Sequence, residues 1–288
     1  MNITSCDATL GAIVRDVRLD ALDNNTFASI ELAWHRYAVL IFPEQHLSGE
    51  AHLEFSRRFG QLEKGIRQSA KPNLSQLTNV DEHGAVVPQD DLKKRFQLGN
   101  QQWHSDSSYK SVGAKASILA AHVVPGSGGE TEWADMRAAY DALDENTRAR
   151  LQGKTAVHSY QFSHTWHGGL EVLNDDELER LPPVEHPVIR THPETGRLSL
   201  FVGRHASHIV GEDVESSRAL LARVTEEACQ RPRTLKHSWS PGDIAIWDNR
   251  CVLHRGHDWP ASEARVMVRT TVAGDEDGNA WALNEESA

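Results

Sequence analysis

The chain has 288 residues, of which 39% are hydrophobic and 25% are charged, and its net charge at pH 7 is -11. This composition is typical of a folded globular protein, and the negative charge argues against a nucleic-acid partner because contacts with phosphates need clustered lysine and arginine. The amino terminus lacks a signal-peptide pattern and no apolar run reaches membrane-spanning length, so the sequence predicts a cytoplasmic protein without a membrane partner.

The first part of the chain contains clearly periodic segments. An opening strand is expected over residues 11–19, and an amphipathic helix over residues 26–37, where apolar residues recur at helical spacing. The apolar run at residues 38–42 predicts a buried strand. Ser48 is expected to cap a further helix that reaches Phe59.

Residues 63–99 show little periodicity outside residues 77–80 and are expected to be mostly loop. Loops of this length in compact domains are often lids or binding segments. The basic residues of this segment are further candidates for contact with an anion: Lys64, Arg67, Lys71, Lys93, Lys94 and Arg95.

The centre of the chain alternates between strands and irregular segments. A strand is expected over residues 117–124, then a glycine-rich turn and a helix over residues 136–151. Glycine and proline pairs predict a second loop insertion over residues 161–185. Two short strands are expected after it, over residues 188–191 and 198–202.

The last third is predicted as one helix followed by strands. The helix covers residues 214–230, and the strands cover residues 234–239, residues 244–247, the neighbourhood of His254 and residues 266–272.

Short strands separated by turn signals favour a mainly β fold with helical additions, of the jelly-roll type. Local patterning alone leaves an α+β fold open. Neither an internal repeat nor a linker divides the chain. A single domain over residues 1–288 is therefore predicted, with loop insertions near 63–99 and 161–185.

His104 and Asp106 form the candidate chemical centre. Side chains at i and i+2 leave the same face of an extended strand, so these two can converge on one metal ion. A distant histidine would complete a 2-His-1-carboxylate triad, which suits non-haem Fe(II) because its open positions admit a co-substrate and dioxygen. His254 offers that ligand, and Arg265 follows it eleven residues later.

Three stretches carry a resemblance to a known family, namely Trp103–Ser108, Ala134–Leu143 and Trp247–Arg255. Through them the chain resembles the Fe(II)- and 2-oxoglutarate-dependent dioxygenases of the taurine dioxygenase and chlorophenoxyacetate dioxygenase type. The resemblance is greatest to their aryloxyalkanoate-degrading branch, and it extends from Gly11 to Thr271.

The resemblance implies a double-stranded β-helix core (jelly roll, cupin-like) that brings His104 and Asp106 against His254. These three side chains would hold Fe(II), which is also the catalytic centre. The co-substrates would be 2-oxoglutarate, which chelates the metal, and dioxygen, which takes the last position.

The resemblance also implies residues that bind the co-substrate. Arg265 would pair with the distal carboxylate of 2-oxoglutarate, because a guanidinium binds a carboxylate bidentately and keeps its charge. Thr131 would donate a hydrogen bond to the same acid. Trp247 would line the pocket, although a position in the core explains this aromatic residue equally well.

An anionic organic substrate is implied by Arg269, which lies at the family's substrate-anion position, and by Asn100, at a position beside the substrate. The aryloxyalkanoate branch implies hydroxylation of the ether-adjacent carbon, which yields a phenol and a 2-oxo acid. The alternative keeps the mechanism and changes the substrate to taurine or another small sulfonate, carboxylate or amino acid.

Two interpretations from other classes remain. A zinc hydrolase would use the same ligands with water in the open position, but the sequence has no His-Glu-x-x-His motif, and Arg265 and Thr131 would then have no role. A binding protein built on a silent barrel would be expected to have lost a ligand, whereas all three are present. A homo-oligomer is expected for the protein, because homo-oligomers are common and usually symmetric.

Overall fold

The structure, a computed structural model, describes residues 1–64, 73–87, 98–166 and 173–274. The strands β1 to β15 are, in chain order, Asn2–Ser5, Ala12–Arg15, Val39–Phe42, Ser75–Thr78, Ala116–Val123, Thr131–Asp135, Thr155–His158, Val184–Pro187, Ile189–Thr191, Leu198–Leu200, Ala206–Ile209, Thr234–His237, Ile244–Asp248, Val252–Gly256 and Val266–Val272. The helices α1 to α7 are Asn24–Tyr37, Gly49–Arg57, Met136–Asp141, Glu145–Leu151, Tyr160–Trp166, Asp175–Arg180 and Val214–Ala228.

Two sheets form the centre of the molecule. The larger has the strand order β1-β2-β3-β13-β5-β15-β4, and all of its pairs are antiparallel except β2 with β3. The smaller has the order β12-β6-β14. Because β13 and β14 are consecutive in the chain but lie in different sheets, the turn between them connects the two layers.

Strand β3 explains how the layers pack. Leu40 and Phe42 belong to a buried cluster with residues of α1 and α2, whereas Val39 and Ile41 belong to a second cluster with Trp133 of the smaller sheet. Alternate side chains of a strand point to opposite faces, so a strand covered on both faces is apolar throughout. This is the reason that residues 38–42 form an uninterrupted apolar run.

The predicted helix over residues 136–151 is wrong in its continuity. Two helices, α3 and α4, occupy the segment, and Asp144 caps the second by accepting a hydrogen bond from the Thr147 backbone N–H at 2.9 Å. Apolar spacing does not reveal the break because residues of both helices, Met136, Ala139 and Leu151, pack in the same buried cluster. The carboxylate of Asp144 is the local signal for a new helix start.

The predicted loop over residues 161–185 is wrong for most of its described residues, although residues 173–174 and 181–183 are irregular as expected. Helix α5 covers its beginning, α6 lies within it, and β8 begins at Val184. Asn174 caps α6 in a reciprocal capping box with Glu177. Residues 167–172 of this predicted insertion lie outside the described residues.

The predicted loop over residues 63–99 contains β4, which overlaps the periodic residues 77–80. Residues 65–72 and 88–97 lie outside the described residues, and with them most of the basic candidates, namely Arg67, Lys71, Lys93, Lys94 and Arg95.

Strand predictions were least accurate for short or irregular segments. The expected opening strand over residues 11–19 is two separate elements, β2 and a 3-10 helix at Leu19–Ala21. Strands β1, β6, β7, β8 and β11 were not predicted at all. Among the described residues, no helix combines the length and the apolar character needed to cross a bilayer.

Candidate active site

His104 and His254 are brought together by backbone pairing. The His104 N–H donates to the His254 carbonyl oxygen at 3.0 Å, and the His254 N–H donates back at 2.8 Å. The two imidazole rings lie 4.1 Å apart between centroids. His104 Nδ1 also donates to the Gln102 carbonyl oxygen at 2.7 Å, which leaves Nε2 of the neutral ring with a free lone pair.

Asp106 does not lie on the regular strand that the His-x-Asp spacing predicted. His104 forms an isolated bridge with His254, and Asp106 begins a turn in which Ser107 takes a positive φ of 56°. The carboxylate nevertheless reaches the imidazoles, since Asp106 Oδ2 lies 3.7 Å from His254 Nε2. The three side chains each offer a ligand atom within 4.8 Å of the others.

Both oxygens of the Asp106 carboxylate accept hydrogen bonds from the protein. Arg269 Nη1 donates to Oδ1 at 2.7 Å, and Ser117 Oγ donates to Oδ2 at 2.6 Å. These contacts fix the orientation of the carboxylate. A potential metal ligand that is held in this way needs little reordering when it binds.

Asn249 is a residue of this network to which the sequence assigned no role. Its Nδ2 donates to Ser117 Oγ at 2.9 Å, and its Oδ1 accepts from the Asp106 backbone N–H at 3.2 Å and from Trp247 Nε1 at 3.1 Å. The carbonyl oxygen of Asn249 accepts from Ser105 Oγ at 2.7 Å. In the sequence, the only indication of this role is that Asn249 lies within the Trp247–Arg255 stretch.

Burial and charge set the protonation of the three side chains. Burial lowers the pKa of His254 to about 4 and holds the pKa of His104 well below its usual value, and nearby positive charges act in the same direction. Burial opposes ionisation of Asp106, but Arg269 and the two imidazoles outweigh it and keep the pKa of this carboxyl well below its usual value. At neutral pH the cluster therefore offers two imidazole lone pairs and a carboxylate, which fits a divalent metal.

A second cluster with metal-binding residue types, His192, Asp248 and Cys251, fits a metal less well. Arg250 donates to both Asp248 oxygens at 2.7 Å, and His192 Nε2 lies 2.9 Å from Oδ2. Burial raises the pKa of the Cys251 thiol well above its usual value. The charge of Asp248 is thus neutralised by Arg250, and this cluster is a buried ion pair that supports the β13–β14 turn.

A cavity of about 350 Å³ opens next to His104 and His254. Its lining contains seven of the eight site residues that the sequence singled out: Asn100, His104, Thr131, Trp247, His254, Arg265 and Arg269. The eighth, Asp106, does not line the cavity but belongs to the potential metal-binding cluster with His104 and His254.

Arg265 is buried at the edge of this cavity, with 8% of its surface exposed. Its Nη2 donates to the Gly129 carbonyl oxygen at 3.0 Å, its Nε has no acceptor, and no carboxylate of the described residues pairs with it. Burial lowers its pKa to about 10, so the group stays charged at neutral pH. A buried guanidinium that has no counter-ion among the described residues can bind an anion.

Thr131 and Trp247 occupy the wall between this cavity and the core. Thr131 Oγ1 accepts from Trp239 Nε1 at 3.0 Å, so its own hydroxyl proton is available to a ligand. The Trp247 ring lies 4.7 Å from the His254 ring between centroids and also packs in the core. Trp247 therefore lies both in the core and at the cavity wall, so its two explanations are compatible.

Asn100 and Arg269 line the cavity from distant parts of the chain. Asn100 precedes the ligand segment, and Arg269 lies on β15. Arg269 is engaged with Asp106 through Nη1, while its Nε has no acceptor within the described parts of the chain. Lys64 is not among the residues that line this cavity.

The chain is similar to known proteins over most of its length. The family model described as "Taurine catabolism dioxygenase TauD, TfdA family" matches residues 2–271. The chain is 41% identical to the (S)-phenoxypropionate/alpha-ketoglutarate-dioxygenase of Sphingobium herbicidovorans, with 95% of each protein covered. It is 40% identical to the alpha-ketoglutarate-dependent 2,4-dichlorophenoxyacetate dioxygenase of Cupriavidus pinatubonensis, with 91% of this chain and 94% of that protein covered.

Among solved structures, the chain is similar to AAD-2 in complex with Mn(II) and N-oxalylglycine. The TM-score is 0.88 at 36% identity, and the match covers 96% of this chain and 99% of that one. This likeness confirms the predicted fold class, mainly β with helical additions around a jelly-roll core. The chain therefore belongs to the taurine catabolism dioxygenase TauD, TfdA family.

Proposed function

We propose that this protein is an Fe(II)- and 2-oxoglutarate-dependent dioxygenase that hydroxylates the ether-adjacent carbon of an aryloxyalkanoate. One observation carries the proposal: the buried cluster of His104, Asp106 and His254 borders a cavity that also contains the guanidinium of Arg265, which has no counter-ion among the described residues. The names of the most similar relatives support the aryloxyalkanoate substrate.

In this proposal His104, Asp106 and His254 hold Fe(II). When bound, the metal supplies the activation of dioxygen coupled to the oxidative decarboxylation of 2-oxoglutarate. One oxygen atom of dioxygen enters succinate and the other enters the substrate as a hydroxyl group. The protein's own task is to bind, orient and shield the reactants.

Arg265 and Thr131 orient the co-substrate. The distal carboxylate of 2-oxoglutarate supplies the counter-ion that Arg265 lacks among the described residues. The Thr131 hydroxyl donates a further hydrogen bond to the same carboxylate. The Trp259 ring lies 5.0 Å from the Arg265 guanidinium carbon and covers it from one side. Exclusion of water by this aromatic wall strengthens the ion pair.

The product chemistry then needs no further oxidant. The hydroxylated carbon carries both the new hydroxyl group and the aryloxy group, so it is a hemiacetal or, in a branched acid, a hemiketal. Its O–H proton is lost, the carbonyl forms, and the bond to the aryloxy oxygen breaks. The aryloxy group leaves as a phenol, and the remaining fragment is a 2-oxo acid.

The test uses purified protein with Fe(II), ascorbate and 2-oxoglutarate, mixed without oxygen and then exposed to air with a panel of phenoxyalkanoic acids and taurine. We expect one succinate and one phenol for each aryloxy acid consumed, and none with His104→Ala. Succinate with taurine alone would keep the reaction and move the substrate to sulfonates. No turnover of any acid, together with no metal-to-2-oxoglutarate charge-transfer band, would overturn the proposal.

A further inference from the structure

A line of three indole rings leads away from His254 towards the protein surface. The Trp247 ring lies 4.7 Å from the His254 ring between centroids. Trp133 lies 5.9 Å from Trp247, and Trp239 lies 6.4 Å from Trp133. Aromatic side chains are in contact at centroid separations of about 4.5–7 Å, so the three tryptophans form a continuous path that begins beside a proposed metal ligand.

Exposure to solvent increases along this path. Trp133 has 0% and Trp247 has 1% of its surface exposed, whereas Trp239 is only partly buried. The His237 ring lies 4.8 Å from the Trp239 ring, and 18% of the His237 side chain is exposed. The inner end of the path is therefore shielded from solvent, and its outer end can contact a molecule in solution.

The three indole N–H groups differ in their partners. Trp247 Nε1 donates to Asn249 Oδ1 at 3.1 Å, and Trp239 Nε1 donates to Thr131 Oγ1 at 3.0 Å. Trp133 Nε1 is buried and has no acceptor among the described residues. An indole that has lost an electron is a strong acid, and the loss of its proton traps it as a neutral radical. Because no described acceptor takes that proton from Trp133, the positive charge can pass on to the next ring.

A second group of oxidisable rings near the metal position forms a poorer path. The Tyr109 ring lies 4.4 Å from the Tyr160 ring and 4.9 Å from the His205 ring. His205 in turn lies 6.4 Å from the His104 ring. This route crosses an imidazole, which is much harder to oxidise than an indole.

The proposed reaction creates a need for an electron path. Reduction of dioxygen to the level of water takes four electrons, of which 2-oxoglutarate supplies two when it is decarboxylated to succinate. Hydroxylation of an organic acid supplies the other two. When no organic acid is bound, two electrons and two protons have to come from another source so that the second oxygen atom leaves as water.

We propose that Trp239, Trp133 and Trp247 carry these two electrons, one at a time, from a donor at the surface to the metal position. This inference rests on the proposed function, because the oxidant is dioxygen that reacts together with 2-oxoglutarate. The donor is a one-electron reductant in solution, which reduces Trp239, and the protons come from water. In total, 2-oxoglutarate, dioxygen, two electrons and two protons give succinate, carbon dioxide and water.

The test uses enzyme loaded with Fe(II) and 2-oxoglutarate and exposed to air without any organic acid. The electron donor is ABTS, a bulky sulfonated dye that becomes coloured on losing one electron, and succinate is measured in the same samples. The variants are Trp133→Phe and Trp239→Phe. Trp34→Phe is the matched control, because Trp34 is also fully buried and its N–H also has no acceptor among the described residues, but it belongs to the other core cluster.

We expect the wild type and Trp34→Phe to oxidise two dye molecules for each succinate formed. Trp133→Phe and Trp239→Phe should lower this ratio at least roughly 10-fold, because a phenyl ring is much harder to oxidise than an indole and even a small rise in a barrier slows a step by that factor. Conversion of phenoxyacetate needs no outside electrons, so Trp133→Phe should still convert it as the wild type does.

A second measurement locates the residue that is oxidised when the dye is left out. The path itself then has to supply the electrons, and hydroxylation of an indole by water releases two electrons and two protons. Fragment spectra of the peptides should place the added oxygen atom on Trp239 in the wild type. In Trp133→Phe, where the path is interrupted, the added oxygen atom should lie on Trp247.

Three results would overturn the inference. An unchanged ratio of dye to succinate in Trp133→Phe and Trp239→Phe would show that electrons travel by another route, and an equal loss in Trp34→Phe would show that the ratio depends on core packing. Succinate formation by the wild type without dye oxidation would show that no such path operates. If any of these occurs while the wild type converts phenoxyacetate to phenol, the proposed function stands and only the inference fails. A wild type that forms no succinate, with or without phenoxyacetate, would overturn the two together.

Discussion

Arg265 and Arg269 are four residues apart, yet their surroundings give them different tasks. Arg269 donates to the Asp106 carboxylate, whereas the only acceptor of Arg265 among the described residues is the Gly129 carbonyl oxygen. The residue type is the same and the spacing places both at the cavity. Arg269 has a counter-ion, whereas Arg265 has none among the described residues. Arg265 is therefore the stronger candidate for binding the co-substrate.

Replacing Arg265 with methionine should therefore raise the KM for 2-oxoglutarate, by roughly 50-fold for the loss of a bidentate ion pair. Arg265→Lys should recover only part of it, because an ammonium group cannot form the forked contact. Steady-state succinate formation at varied 2-oxoglutarate measures both. Arg255→Met, which loses an ion pair with Glu132 outside this cavity, is the control. An unchanged KM in Arg265→Met would remove Arg265 from the co-substrate site.

Asn249 should contribute to metal binding without touching the metal. Its amide joins the Asp106 backbone to Ser117 Oγ, which in turn holds the Asp106 carboxylate. Loss of such an outer contact typically weakens metal binding 10- to 100-fold, so we expect roughly 30-fold for Asn249→Ala and the same direction for Ser117→Ala. Titration of the metal-free proteins with Mn(II) measures the affinity. If Asn249→Ala loses thermal stability but binds Mn(II) like the wild type, the hydrogen bonds of Asn249 stabilise the fold and do not contribute to metal binding.

At the scale of secondary-structure elements, the turn before β6 leaves space for the side chain of Arg265. Gly129 takes a φ of 69°, and a Cβ there would lie 3.0 Å from Arg265 Nε and 3.1 Å from the Pro125 side chain. Glycine at this position thus serves two purposes. It allows the left-handed turn, and it leaves space for the buried guanidinium.

Gly153 serves as a control that separates the effect of the left-handed backbone from the effect of space for a neighbouring side chain. It takes a φ of 67°, but a Cβ there would meet nothing within 4 Å. Gly129→Ala and Gly153→Ala should each cost about 1 kcal/mol of unfolding free energy through the left-handed backbone. Only Gly129→Ala should also raise the KM for 2-oxoglutarate, because only there does the methyl group displace Arg265. Equal KM values in both variants would contradict this steric link.

The elements that the sequence predicted best are those with both a cap and a strong apolar pattern. Ser48 caps α2 as expected by accepting from the Ala51 backbone N–H at 3.2 Å. Helix α7, predicted over residues 214–230, ends at Ala228. Strands such as β7 and β11 are short, and their pairing is decided by partners distant in the chain, so local patterns carry little signal for them.

At the scale of the whole molecule, the site depends on contacts that no local pattern contains. His104 and His254 are 150 residues apart and meet through one isolated bridge. The family resemblance predicted both histidines as metal ligands, because motifs record the chemistry that a fold assembles. It did not predict that Arg269 would be engaged by Asp106, or that Asn249 would hydrogen-bond within the Asp106 network, since those facts depend on side-chain packing in three dimensions.

Buried histidines should also make the whole fold sensitive to acid. Burial lowers the pKa of His52 to about 4, and the pKa of His186 likewise to about 4, against a usual value of 6.5. As the pH falls below 6.5, the unfolded chain takes up protons on these imidazoles and the folded chain does not. The free energy of unfolding must therefore fall with pH between 6.5 and about 4, by about 1.4 kcal/mol per pH unit for each such histidine.

His52 gives the cleanest test because it lies in the core between α2 and β15, with Nε2 3.2 Å from Thr270 Oγ1. Urea unfolding at about pH 7.5 and about pH 5.5 should show that His52→Gln loses roughly 1 kcal/mol less than the wild type between the two conditions. His83→Gln, which removes an imidazole with 81% of its side chain exposed, controls for the substitution itself. An identical pH-dependent loss in the wild type and His52→Gln would mean that His52 accepts its proton without unfolding, and that the acid sensitivity of the fold originates elsewhere.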